Sequence, residues 1–247
     1  MFGQETVIRS SPPQKNNGKF GTRMELNETN YQKVKNISFE KQLPEGFVYV
    51  RDVIPDIVLE ILYCSNRNFT GQPVDGYIKP KAILTMEAAK SLKEVQNELR
   101  IYSLGLKIFD AYRPQQAVDC FSKWAKSPED HTTKALYYPN EEKESLFENG
   151  YISLTSSHIR GSTVDLTLVH INGKKNVVEL DMGRSFDYFG KEAWGNYANC
   201  TPQQKANRLL LKTIMGKHRF ESYPREWWHF TLKDEPFPNT TFNFPIE

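Results

Sequence analysis

The sequence predicts a mixed α+β domain in which helices pack on a central antiparallel sheet. Two observations carry that expectation. Short alternating apolar runs recur at LKIFDAY (106–112) and at STVDLTLVHINGKKNVVEL (162–180), with the period of two that a strand needs, and REWWHFTL (225–232) is aromatic and β-prone. Between them lie segments with a helical period and explicit start signals, so strands and helices alternate irregularly rather than as a repeated unit.

From the N-terminus, Met1 to about Gln42 is rich in Ser, Pro, Asn, Gly and Lys and carries too little apolar surface to offset the entropy of ordering it. It is expected to be an arm, with the domain proper occupying 43–247. FVYVRDVIPDIVLEILY (47–63) mixes apolar runs with a proline, which suits a strand followed by a turn or short helix. Thr85 can cap a helix whose apolar positions Ala88, Leu92, Val95 and Leu99 share one face. After a break at 103–105, Gly105 to Ala111 reads as a strand that delivers Asp110 near its end, with Arg113 just beyond. Pro114 then opens a helix with Ala117, Phe121 and Trp124 on one side.

Ser162 to His170 is a strand in which Asp165 and Thr167 face away from Val164, Leu166 and Leu168. The Asn172-Gly173 pair is the strongest short-range hairpin signal in the chain and predicts antiparallel pairing with 176–180. Thr201-Pro202-Gln203-Gln204 forms a capping box with proline in the first turn, and Ala206, Leu209, Leu210 and Thr213 would be the helix's inner face. Glu226 to Leu232 is the last strand, before a Pro- and Asn-rich exit from Asp234.

The chain of 247 residues has room for one sizeable core. Its 32 basic and 30 acidic side chains nearly cancel, so there is no summed field to hold nucleic acid or an acidic membrane surface. Mean hydropathy is −0.61, and no apolar run approaches the roughly 18 residues of a membrane helix. Cys64, Cys120 and Cys200 lie far apart with no CxxC pair, which reads as buried free thiols. The start of the chain lacks the apolar stretch of a secretion signal, although a removed signal is compatible with it.

Five histidines limit any site that needs two of them. A tight turn at Gly161 would bring His158 and Asp165 to face one point, which strand parity alone would prevent. Glu226 and His229 flank two tryptophans, and an acid and a histidine in an apolar stretch are costly to bury without compensation. A catalytic zinc takes three protein ligands and leaves one position open, and His158, Asp165 and His229 would fill that set with Glu226 as general base. Spacing alone leaves the blander readings standing: a satisfied polar pair, and core aromatics flanked by surface charge. His131, His170 and His218 sit in polar or basic surroundings and read as surface residues. Arg113 reads equally as a partner for Asp110 or Asp119 and as a donor aimed at developing negative charge. Ser156 or Ser157 beside His158 fails as a nucleophile and base pair, because adjacent residues rarely converge, and no Gly-rich phosphate loop is present.

Five ordered blocks carry a resemblance: NFTGQPVDGY (68–77), GLKIFDAYRPQQAVD (105–119), SSHIRGSTVDLTL (156–168), DMGRSFDYFG (181–190) and EWWHF (226–230). From about Val48 to Leu232 the sequence resembles the zinc D-alanyl-D-alanine dipeptidases of the vancomycin-resistance type. Their relatives are the zinc D,D- and L,D-carboxypeptidases that trim peptidoglycan peptides. The resemblance implies a fold of the hedgehog and D,D-peptidase type with the zinc on one face of the sheet, ligands His158, Asp165 and His229, and Glu226 as the catalytic carboxylate. It also implies that Arg113 stabilises the tetrahedral intermediate, and that Ser156 and Asp187 hold the dipeptide, Asp187 meeting its free amino group. Thr163 departs from the family's usual Ala beside the ligand strand. The implied partner is a small D,D-dipeptide and the implied source is bacterial, in the envelope if a signal was removed and otherwise in the cytoplasm. The alternative is a carboxypeptidase acting on longer stem peptides.

Overall fold

A computed structural model of the chain describes residues 42–128, 131–172 and 176–247. The expected N-terminal arm lies outside them apart from Gln42, as does the tip of the expected hairpin at Gly173. In chain order the elements are β1 (Phe47–Tyr49), α1 (Val50–Val53), β2 (Val58–Leu59), β3 (Ile83–Thr85), α2 (Met86–Arg100), β4 (Leu104–Asp110), α3 (Gln115–Ala125), α4 (His131–Tyr137) and α5 (Ser145–Glu148). They continue with β5 (Thr163–Asn172), β6 (Asn176–Glu179), α6 (Pro202–Lys217), β7 (Phe220–Ser222) and β8 (His229–Leu232).

The main sheet runs β2-β4-β5-β8-β7, with β6 also paired to β5. All its pairings are antiparallel except β2 with β4, so the sheet is mixed and not purely antiparallel. The short β2, which the sequence blurred into one strand-and-turn segment, supplies the parallel edge. Strand β5 is central: residues 163–169 are all buried, including Thr163, Asp165 and Thr167. The face expected to be the less apolar one is therefore covered as well.

Local signals account for the helices. Thr85 Oγ1 accepts the N–H of Ala88 at 3.4 Å, and Ala88, Leu92, Val95 and Leu99 are buried where α2 packs against β4. Pro114 occupies the cap position of α3, one residue earlier than expected. The capping box of α6 closes in both directions, with Gln204 N donating to Thr201 Oγ1 at 3.2 Å and Thr201 N to Gln204 Oε1 at 2.9 Å.

Two expectations need correction. The buried face of α6 comprises Asn207, Arg208, Leu211, Ile214 and Met215, whereas Leu209 and Leu210 are 64% and 40% exposed. Hydrophobicity misled because the surface opposite α6 offers loop carbonyls, which need donors such as Asn207 and Arg208. Glu226 is not part of a strand: β8 begins at His229, and a turn closed by Glu226 N to Tyr223 O at 3.3 Å precedes it. In an extended strand residues three apart project to opposite faces, so this turn allows Glu226 and His229 to meet. The three cysteines are free but only half-buried.

After β8 the chain forms an aromatic strap rather than a loose exit. Phe237, Phe242 and Phe244 surround Phe47 at ring-centroid distances of 5.8, 4.8 and 5.1 Å, and Phe244 stacks on Tyr112 at 4.1 Å. Backbone bonds fasten it, Phe242 N to Ile159 O and Gln115 N to Phe242 O, both at 3.2 Å.

Gly161 has φ +79°, and a Cβ there would meet the Phe47 ring at 2.2 Å. Gly161→Ala is expected to destabilise by about 2 kcal/mol through backbone strain and clash. Gly216, exposed in α6 with nothing within 4 Å of a built Cβ, is the contrasting position. Gly216→Ala is expected to stabilise by about 0.5 kcal/mol. Denaturant midpoints of the two variants measure both signs.

Candidate metal centre

Register across three strands builds the centre. Asp110 pairs with Asp165 across β4 and β5, and Asp165 pairs with His229 across β5 and β8. Cross-strand partners share a face, so the three side chains form one row. A register shift between Ile108 and Asp110 re-aims the end of β4 into that row.

His158 comes from outside the sheet, on a 3-10 helix Ser157–Arg160. Ser156 caps that helix, its Oγ accepting from His158 N at 3.3 Å, and Gly161 ends it in a left-handed conformation. The chain thus doubles back so that His158 Nε2 lies 3.2 Å from Asp165 Oδ2. His229 Nδ1 lies 3.1 Å from Asp165 Oδ1 and 3.3 Å from His158 Nε2.

These groups suit a metal: each histidine nitrogen faces a different oxygen of Asp165, and one ligand atom from each of the three residues lies within 4.8 Å of the others. Ligands about 2.0 Å from a tetrahedral ion stand about 3.3 Å apart, close to the separations found. Each ring is also oriented from behind. His158 Nδ1 is 2.7 Å from Ala111 O, which can only accept, so the proton sits on Nδ1 and the Nε2 lone pair points inward. His229 Nε2 is 3.2 Å from Ser157 Oγ, which leaves its Nδ1 to face the cluster. Asp165 Oδ1 is buried and, among the described residues, accepts no well-aligned hydrogen bond despite its closeness to His229. A buried oxygen without a partner is costly, and a cation at the shared point would satisfy it.

Glu226 stands beside this group, with Oε2 3.4 Å from His229 Nδ1. Desolvation pushes its carboxyl up to about 6, with Asp165 adding repulsion and His229 opposing. Burial also favours the neutral form of Asp165, but the two histidines outweigh it and hold that carboxyl below the usual range. Arg113 takes up the first of its readings, as a partner for Asp110. Its Nε and Nη2 donate to Asp110 Oδ2 at 2.9 and 2.8 Å, while Nη2 reaches to 3.6 Å from Asp165 Oδ2. Its guanidinium also lies over the Tyr63 and Phe121 rings. Asp119 is instead bonded by Gln115.

His158, Asp165, His229, Glu226, Arg113, Ser156 and Asp187 all line one cavity of about 470 Å³. Asp187 is 6% exposed, at φ +62°, and accepts from Tyr63 OH at 2.9 and 3.2 Å. Burial raises its carboxyl well above the usual range, Arg113 offsetting this only in part. Thr163 Oγ1 lies 2.9 Å from Thr231 Oγ1, so the hydroxyl that departs from the family pattern is satisfied across the strands. Elsewhere His218 Nε2 meets Glu98 at 2.9 Å, at the partly exposed end of α6. The side chain of His131 lies outside what the structure describes.

The sequence marks neither Tyr63 nor Tyr77 as a site residue, offers Ser157 only as a rejected nucleophile, and presents Asp110 only as a partner for Arg113. Tyr77 OH donates to Asp110 Oδ1 at 2.6 Å and so anchors the carboxylate that holds Arg113. Asp110 and Tyr77 lay within conspicuous blocks of sequence; Tyr63 had no signal around it.

Comparison with known proteins identifies the family. A family profile of the M15 peptidases, described as D-ala-D-ala dipeptidase, matches residues 44–247. The chain is 40% identical over 204 residues to a D-alanyl-D-alanine dipeptidase of Enterococcus faecalis, covering 83% of this chain and 100% of the relative. It is 40% identical over 200 residues to one of Streptomyces coelicolor, covering 81% and 98%. It is 31% identical over 180 residues to one of Escherichia coli, covering 73% and 81%. With a profile spanning nearly all of the described domain and relatives at this identity, the chain belongs to the M15 peptidase family of D-Ala-D-Ala dipeptidases.

Proposed function

We propose that the chain hydrolyses D-alanyl-D-alanine to two molecules of D-alanine, with zinc held by His158, Asp165 and His229, Glu226 as general base, and Arg113 on the developing oxyanion. The observation that carries this reading is the clustering of His158 Nε2, 3.2 Å from Asp165 Oδ2, with His229 Nδ1, 3.1 Å from Asp165 Oδ1, the two nitrogens 3.3 Å apart, with Glu226 beside them and Arg113 in the same cavity. The names of the relatives support the substrate. Zinc, when bound, supplies Lewis acidity that polarises a carbonyl and lowers the pKa of water.

The chain's own residues do the rest. Glu226 takes the proton of the attacking water and passes it to the leaving amine. Arg113, fixed by Asp110, directs N–H groups at the carbonyl oxygen as it gains negative charge; because its orientation is set beforehand, no reorganisation is needed at the moment of reaction. Ser156 and Asp187 hold the substrate. A nearly buried carboxylate whose closest polar contact is a tyrosine hydroxyl favours a cation, and the free ammonium of a dipeptide supplies one. In a longer stem peptide the corresponding nitrogen is acylated and uncharged, which argues for the dipeptidase over a carboxypeptidase. We assign the catalysis to residues 43–247 and read 1–42 as an arm outside it. Among the described residues no helix is long and apolar enough to cross a membrane.

Glu226→Gln is expected to retain zinc, by elemental analysis, and to lose about 10³-fold in kcat. His158→Ala is expected to lose the metal itself. A Glu226→Gln variant with parental turnover would contradict the assigned base.

The substrate is tested by D-alanine release from D-alanyl-D-alanine, beside an L,L-dipeptide, a pentapeptide stem and a chelator control. Chelator-sensitive cleavage of the D,D-dipeptide alone is expected. Cleavage of the stem would move the assignment to a carboxypeptidase, and no cleavage with zinc bound would point to a binding role.

A further inference from the structure

The buried face of α6 carries one charged residue, Arg208, which is 5% exposed. Among the described residues its guanidinium forms no ion pair. Its N–H groups go to three backbone carbonyls: Nε to Met182 O at 2.7 Å, Nη1 to Trp194 O at 2.7 Å and Nη2 to Glu192 O at 2.8 Å. Those carbonyls lie at the two ends of one segment, 182–194, and Asp187 is inside it. Two neighbours on α6 hold the approach to the segment, Asn207 Nδ2 donating to Asp181 O at 2.8 Å and Gln204 Nε2 to Asp181 Oδ2 at 2.9 Å.

Asp187 needs such restraint. Its φ of +62° is a left-handed conformation, uncommon for a non-glycine residue and kept where the surroundings hold it. Among the described residues its carboxylate accepts hydrogen bonds from Tyr63 alone, which lines the same cavity. A planar guanidinium with divergent donors can tie both ends of a segment at once, which a point-charge ammonium cannot.

We propose that Arg208 is a positioning residue for substrate binding: by clamping both ends of 182–194 it holds Asp187 with its carboxylate towards the substrate's ammonium. This rests on the reading of Asp187 given above. The clamp lies apart from the metal ligands, which stand on β5, β8 and the 3-10 helix. The segment touches the Glu226 turn through Trp227, whose N donates to Ala193 O at 3.0 Å and whose Nε1 donates to Arg184 O at 3.2 Å. That turn is also closed by its own bonds, Glu226 N to Tyr223 O and Tyr223 N to His229 O. Loss of the clamp should therefore weaken binding more than turnover.

The test compares Arg208→Met, Arg208→Lys and Asp187→Asn, alone and combined, in full-length zinc-loaded protein, measuring KM and kcat for D-alanyl-D-alanine, zinc content and melting temperature. Arg208→Lys keeps the cation and guards against a Met variant that fails to fold. Expected is a rise in KM of about tenfold for Arg208→Lys, with kcat and zinc content within about threefold of the parent. In the Asp187→Asn background the same substitution should add little, because the group it positions is already disabled. A parental KM in Arg208→Lys, or an equal rise in both backgrounds, overturns the proposal. An Asp187→Asn protein with parental KM overturns the ammonium reading instead, so the two failures are distinguishable.

Discussion

A carboxylate in the middle of a sheet dictates most of what surrounds it. Asp165 lies on the central strand, nearly without access to water, and an ion in such a place costs several kcal/mol unless its surroundings compensate. The compensation comes from three directions: His229 from the next strand, His158 from a turn that folds back over the sheet, and Arg113 from the corner after β4. Each supplier has its own anchor, Ser157, the Ala111 carbonyl and Asp110 respectively. The cavity is the space these groups leave around a charge they cannot abandon.

The elements legible in the sequence were those specified by local physics. A capping threonine, a capping box and an alternating strand report on a few neighbouring residues, and α2, α6 and β5 appear close to where those signals stand. The turn at Gly161 was legible for the same reason, since only a residue tolerant of positive φ allows His158 to swing back towards Asp165. Illegible were features decided by what lies opposite. The outward leucines of α6 follow from a facing wall of carbonyls, and the turn at Glu226 replaces a strand that its aromatic composition favoured. Ser157 and Tyr63 matter through partners 72 and 124 residues away, which no local window contains.

A division of labour runs through the molecule. The row Asp110, Asp165 and His229 is set by sheet, its geometry shared by three hydrogen-bonded strands. The surfaces that would meet substrate come instead from segments without regular structure, around Ser156 and Asp187, and these are fixed by side-chain bonds to backbone and by ring packing. Strands suit a site whose spacing tolerates little error, while loops leave the pocket wall open to variation without disturbing the row.

The aromatic strap after β8 has a consequence for how the protein comes into being. It bonds to Ile159, one residue past His158, and to Gln115, two past Arg113, so it braces the two corners that flank the ligand row from behind. These bracing residues follow His229 in the chain and are synthesised after it. During translation the N-terminal strands and α2 can collapse on one another while the row is still missing a member. Assembly of the row thus waits until the chain beyond β8 has been made, and a ribosome that stops before His229 releases a chain that lacks one of the three candidate ligands.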